Sequence, residues 1–308
     1  MRFRTGLFLL CVVSSVASTA NACSIPVFRY ALERWKPSPY EFVVYHRGPL
    51  SDADRKAVKQ IEDIVRIANA EVTLVDLDGN REPQLKALWK KQGGEATLPH
   101  ILVRFPESDS TTPLAWSGPL DPAKIKPLLD SPLRQQIANG FFRGEAAMFV
   151  MLESGDTKAD AEAEKMLIEQ LAKLEKSIAI PPVTKEGPQV RSELPVRIGF
   201  GFLKVSRKNA QEAAFIDMLM RCEEDLDKAK GPILFTFFGR GRVLTALHGK
   251  DMKAKELEEI AKFLCGACSC QVKELNPGVD LLFAVKWDTF LDIEITPTPR
   301  EVKAPSKR

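Results

Sequence analysis

The sequence predicts an α/β fold built from two consecutive copies of one unit, each ordered β-α-β-α-β-β-α. Three observations carry that expectation. Short apolar runs of strand length alternate with segments whose apolar residues recur every three to four positions, the two periods that distinguish strand from helix. The same order of segments is met twice, from about residue 38 and again from about residue 145. In both copies an Xaa-Pro pair, Leu98-Pro99 and Gly231-Pro232, opens the third strand. Length agrees, because a chain of 308 residues is large for one core and natural for two.

In the first copy, Glu41 to His46 is a short apolar strand. Ser51 to Ala68 follows as a helix, with Val58, Ile61, Ile64 and Val65 at helical spacing, Ser51 or Asp52 as its cap, and Asp52 and Asp54 suiting its positive end. Glu71 to Leu77 is the second strand and Gln84 to Lys91 the second helix, stopped by Gly93-Gly94. Ile101 to Phe105 and Leu114 to Ser117 are the last two strands, and Pro122 to Leu129 the last helix.

The second copy opens on the strand Ala147 to Glu153 and a long helix from about Lys158 to Ile178. Pro181 to Pro195, with four prolines and a glycine, reads as a loop. Strand Val196 to Val205 and helix Gln211 to Leu226 come next. Ile233 to Phe238 and Val243 to Leu247 form a hairpin around Gly239-Arg240-Gly241, and Lys253 to Leu264 is the closing helix. Beyond it, Asn276-Pro277-Gly278 marks a turn and Asp280 to Trp287 an extra strand.

The first 22 residues point to export. Arg2 and Arg4, the apolar stretch Gly6 to Val16 and the small-residue pattern Ala20-Asn21-Ala22 predict a signal peptide over 1–22, cleaved before Cys23. A cysteine at the first mature position also offers a thiol for lipid attachment, although Ala20 stands where a lipobox carries Leu. The expected location is therefore periplasmic or extracellular, with a tether through Cys23 as the variant. No later stretch reaches the roughly 20 apolar residues of a membrane helix. Without Arg2 and Arg4 the formal charge falls from +3 to +1, and interspersed signs give no reason to expect nucleic acid. The expected division is 1–22 signal peptide, 23–37 N-terminal segment, 38–140 first unit, 141–295 second unit, and a disordered Pro- and Lys-rich tail over 296–308. Val27, Tyr30, Ala31 and Arg34 share one helical face, which predicts a short helix docked on the first unit.

This element order, with a proline leading the third strand, resembles the thioredoxin fold. The resemblance covers about 38–135 and 145–265, and it implies a cis peptide bond before Pro99 and Pro232. Thioredoxin-family oxidoreductases carry C-x-x-C between the first strand and its helix, where the helix N-terminus lowers the thiol pKa. Here the corresponding segments are Tyr45 to Ser51 and Glu153 to Thr157, and neither contains cysteine. Both copies thus resemble the non-catalytic domains of protein disulfide isomerases. The segments Cys23 to Trp35 and Cys265 to Val272 also resemble exported bacterial proteins of uncharacterised function, a likeness that implies no activity.

The dense chemistry lies elsewhere, in Cys265-Gly266-Ala267-Cys268-Ser269-Cys270. Three uses fit. The cluster can form disulfides, with itself or with Cys23, that staple the end of the last helix. Cys265 and Cys268 can exchange disulfides with Cys270 as partner, although a helix C-terminus raises a thiol pKa. Three thiolates, with His248, can hold copper(I) or zinc. Cys222, on an apolar helical face, reads as core filler. His46 and Arg47 in the loop replacing the active site, with Pro99 and His100 opposite, are the candidate ligand pocket. No Ser/His/Asp spacing, P-loop, H-E-x-x-H or dinucleotide glycine motif appears, and no cofactor is implied. The expectation is a non-catalytic binding or scaffold protein for an unknown protein or peptide partner, with a thiol-disulfide oxidoreductase as the alternative.

Overall fold

Strand β1 (Tyr40–His46) is apolar at almost every position because both of its faces are covered. Tyr40, Phe42 and Val44 point to one layer, Val43 and Tyr45 to the other, as the period of two requires. The protein is described by a computed structural model over residues 25–79, 81–109, 111–182, 188–268 and 271–292. The expected signal peptide over 1–22, Cys23, Cys270 and the expected tail over 296–308 lie outside the described residues.

The first unit has a sheet ordered β2-β1-β3-β4, with β2 (Ala70–Asp76) parallel to β1, and with β3 (His100–Arg104) and β4 (Trp116–Pro119) antiparallel. Helix α2 (Asp52–Val65), capped by Ser51 Oγ on Asp54 N at 3.1 Å, and α4 (Pro122–Leu129) cover one face. Helix α3 (Pro83–Leu88) covers the other, and continues into a single π-type turn, Trp89–Gly93, ended by Gly94 at φ +58°.

The second unit repeats the plan. Its sheet is ordered β6-β5-β7-β8-β9, from β5 (Ala147–Glu153), β6 (Phe200–Ser206), β7 (Ile233–Phe238), β8 (Arg242–His248) and the two-residue β9 (Val279–Asp280). Strand β6 is parallel to β5, and the other pairs are antiparallel. Helices α6 (Thr157–Ser177) and α8 (Ala254–Cys265) pack on one face, α7 (Ala213–Leu219) on the other. Both sheets thus have the strand order and polarity of a thioredoxin-like fold, and the strands after Pro99 and Pro232 are central in each. The protein is two tandem thioredoxin-like α/β units.

Several expectations change. The Leu98–Pro99 bond is cis, whereas Gly231–Pro232 is trans. Trans is favoured by about 0.5–1 kcal/mol, and Gly231, with open space where a side chain would be, imposes no demand against it. The helix expected to reach Leu226 ends at Leu219, because the charged run after it turns away and Glu223 accepts from Ala246 N at 2.7 Å. Helix α5 (Pro132–Phe142), absent from the predicted elements, packs against β5 with Leu133, Ile137 and Phe141 in the second unit's core. Gly140 makes that approach possible, since a Cβ there would collide with Met148 Sδ.

The N-terminal helix α1 (Val27–Arg34) docks on the second unit, against α8 and β7, not on the first. Its charges explain the choice. Arg29 and Glu33, 1 % exposed each, pair at 2.7 Å and hold the proline-rich loop. Arg29 donates to Ser192 O, Ser192 Oγ and Leu194 O, while Glu33 accepts from Arg191 N and Ser192 N. Buried Arg240, in the β7–β8 turn, donates to Leu32 O and to Asp288. A buried ion pair is costly unless its remaining hydrogen-bonding capacity is met, and here the loop meets it.

The extra strand expected over 280–287 pairs with β8 only through Val279 and Asp280. Residues 281–286 instead run extended between the units, and Trp287 begins the short helix α9 (Trp287–Phe290). Leu281 and Phe283 enter the second unit's core, and Leu282 enters the first unit's core. Alternation along the segment therefore serves two cores instead of one core and solvent.

Candidate functional site

The start of the first helix in each unit is where a thioredoxin places its reactive thiol. In the first unit Ser51 occupies the helix N-terminus as cap. In the second, Asp156 accepts from Lys158 N at 3.0 Å and Ala159 N at 3.1 Å, and Asp160 accepts from Ser154 N, Ser154 Oγ and Gly155 N. Burial opposes ionisation of Asp160, but these three donors outweigh it and hold the carboxyl below its usual range. The N–H groups that would stabilise a thiolate are thus taken by fixed side-chain oxygens.

The histidine pocket expected beside that site is not drawn together by side-chain bonds. His46 Nδ1 donates to Gly48 O at 2.8 Å, and Arg47 pairs with Asp78 at 2.6 Å on the surface, both toward the β2 side. Asp76, held low by the N–H of Asp78 and also bonded by Gly48 N, braces the same corner. His100, following Pro99, lies on the opposite side of β1, bonded through Nε2 to Ser117 Oγ at 2.8 Å and edge-on to Trp89. Burial lowers its pKa.

At the cysteine cluster, α8 ends on Cys265, and Gly266 to Cys268 form a short antiparallel bridge with Ile25 to Val27. Val27 N donates to Gly266 O at 3.0 Å and Cys268 N to Ile25 O at 2.9 Å. Both sulfur-bearing side chains face the core, at 0 % and 1 % exposure, and no disulfide joins them. Burial pushes the Cys265 thiol up to about 12. Backbone hydrogen bonds thus tie the end of α8 to Ile25–Val27, while the sulfur pairings expected with Cys23 and Cys270 lie outside the described residues. Among the described residues no cluster of His, Cys, Asp or Glu is arranged to hold a metal. Cys222 is half-buried, with its thiol raised by burial to about 12.

A concave surface lies between the units, along residues 281–290. Asn69 grips this segment, donating from its backbone N to Phe283 O and from Nδ2 to Leu281 O, and accepting from Phe283 N at 2.9 Å. Arg134, 1 % exposed, donates to Leu282 O at 2.9 Å and Leu128 O at 2.8 Å, with its guanidinium 4.2 Å from the Phe215 ring centroid. Burial brings its pKa down to about 10, so it stays charged at neutral pH. Two hollows, of about 410 and 440 Å³, flank Val285 and Lys286 and share Ile67 in their walls. Phe142 lines the first, and Phe290 stacks on it with ring centroids 4.4 Å apart.

No motif marks this groove. Its residues come from α5, from the turn before β2 and from the last described segment, separated by up to 223 positions between Ile67 and Phe290. The Ser131-Pro132 pair, a cap followed by the first helical position, is the one local signal that would have revealed α5.

No protein-family model matches the chain, and no curated protein matches it in sequence. Among solved structures the chain is similar to the first two thioredoxin domains of Eps1p from Naumovozyma dairenensis, at 10% identity and a TM-score of 0.22, over 76% of this chain and 93% of that one. So loose a superposition adds nothing to the strand order and register, which define the two units on their own.

Proposed function

We propose that the protein is an exported, non-catalytic thioredoxin-like protein that binds or spaces a partner. The observation that carries this reading is the replacement of the reactive thiol in both units by a helix cap, Ser51 in one and Asp156 in the other. A thiol needs a helix N-terminus or a neighbouring cation to become a thiolate at neutral pH. Cys265 has neither, and its burial works in the opposite direction. Export rests on the leader-like first 22 residues, with Cys23 as either a free first residue or a lipid carrier. Intact-mass analysis of the protein from its native host distinguishes those two.

Insulin reduction and oxidative refolding of a reduced disulfide protein test the reading directly. The expected result is a rate equal to the buffer blank, unchanged by Cys265→Ser. Multiple turnover that Cys265→Ser or Cys268→Ser abolishes would establish disulfide exchange instead.

A further inference from the structure

The groove between the units joins an apolar floor to unpaired positive charge. Phe290 is 64 % exposed and Ile67 39 %, although each has apolar neighbours in the groove wall. An open phenylalanine ring leaves apolar surface in water that a bound apolar body would cover. The rim carries Lys286 beside the first hollow and Lys36 and Lys286 beside the second. Neither ammonium has a carboxylate within ion-pair distance among the described residues. Of the acids in the same walls, Asp288 is paired with Arg240 at 2.6 Å, whereas Asp130 accepts from the neutral amide of Gln135 at 2.9 Å and keeps its charge. Against these two carboxylates stand five cations, Lys36, Arg66, Arg134, Arg240 and Lys286. The local field is therefore positive where the floor is apolar.

We propose that this groove binds a small amphipathic organic anion, its aromatic or aliphatic body against Phe142, Phe290 and Ile67 and its acidic group at Lys286, with Lys36 alongside. The hollows, at about 410 and 440 Å³, have the volume of small-molecule sites. Shape and charge select together: a neutral apolar body gains the floor but not the ammonium groups, and an inorganic anion gains only exposed lysines, which are weak partners in water. The proposal deepens the reading of a non-catalytic binding protein and rests on it.

The test uses the full mature chain and two fluorescent probes, 1-anilinonaphthalene-8-sulfonate and the uncharged N-phenyl-1-naphthylamine. Saturable binding of the sulfonate is expected, weakened at least about fivefold by Phe290→Ala, a ring exposed enough to remove without unfolding the protein. Lys286→Gln with Lys36→Gln weakens the sulfonate about threefold and leaves the neutral probe within about twofold. Leu275→Ala, which removes a residue 74 % exposed and outside the walls of both hollows, changes neither. The proposal is overturned by absent or non-saturable binding, by equal losses in Phe290→Ala and Leu275→Ala, or by lysine variants that weaken both probes alike. If insulin reduction is at the same time at blank level, only the ligand class has failed. Turnover in that assay would remove the underlying reading.

Discussion

Removing Phe283 should loosen the second unit, and removing its neighbour Leu282 the first, because consecutive residues of one extended segment enter different cores. Phe283 is 1 % exposed and sits among Phe215, Phe237 and Trp287 at centroid distances of 5.8, 6.3 and 6.3 Å. It also lies directly on Gly241, where a Cβ would collide with its ring, so the backbone there leaves no slack to fill a void. Phe283→Ala should therefore cost about 3–5 kcal/mol, and Leu282→Ala, from a site 0 % exposed, about 2–5 kcal/mol. At about 2–4 °C per kcal/mol for chains of this size, Phe283→Ala lowers Tm by roughly 6–20 °C. Differential scanning calorimetry measures the shift, and urea titration followed by both tryptophan fluorescence and circular dichroism measures the coupling. Trp89 and Trp116 report on the first unit, Trp35 and Trp287 on the second. The segment binds both units, so the wild-type protein should unfold in a single transition with coincident probes. Asn69→Ala, which cuts the side-chain bonds to Leu281 and Phe283 without opening a core, should separate the probes into two transitions. A loss below about 1 kcal/mol for both core variants, within the range of ordinary surface substitutions, would refute the strap.

Three further outcomes follow from buried charge and buried sulfur. Glu33→Ala leaves Arg29 buried without its carboxylate and should cost about 3–5 kcal/mol in urea unfolding, whereas the double change Arg29→Met with Glu33→Leu should cost clearly less. Equal losses would mean that packing, not charge, holds α1. Cys265 should resist iodoacetamide at pH 8 in the folded protein and react in guanidinium, because with its pKa near 12 only roughly one thiol in ten thousand is ionised. Fast native labelling, read by peptide mass spectrometry, would contradict its burial. Burial raises the pKa of Asp280, but Lys273, Ser38 N and Arg242 outweigh it and leave the folded value below the unfolded one. Its stabilisation is thus present above the unfolded pKa of about 3.9 and lost as pH falls through the folded value. The stability gap between wild type and Asp280→Asn should be wide at pH 7 and close in acid, and a gap constant with pH would rule out the ionised carboxylate as its source.

The repeated unit was legible because its signals are local. Short continuous apolar runs of strand length, such as Ala147 to Glu153, and capped helices such as that following Ser51 mark their own conformation locally. The missing thiols were equally plain, since absence at a defined strand-to-helix junction needs no coordinates. Three features were decided only by tertiary structure. The docking of α1 on the second unit depends on Arg29 and Glu33 meeting Ser192, a pairing some 160 residues long that periodicity does not record. Leu281 to Val285 is a continuous apolar run like that of a buried strand, yet its two faces meet two cores, and such a run reads the same in either case. The groove joins Ile67, Phe142, Lys286 and Phe290, unremarkable residues far apart in the chain, which acquire chemistry only because folding brings them to one surface. A sequence displays what a residue does to its neighbours in the chain, and such a site is made by neighbours in space.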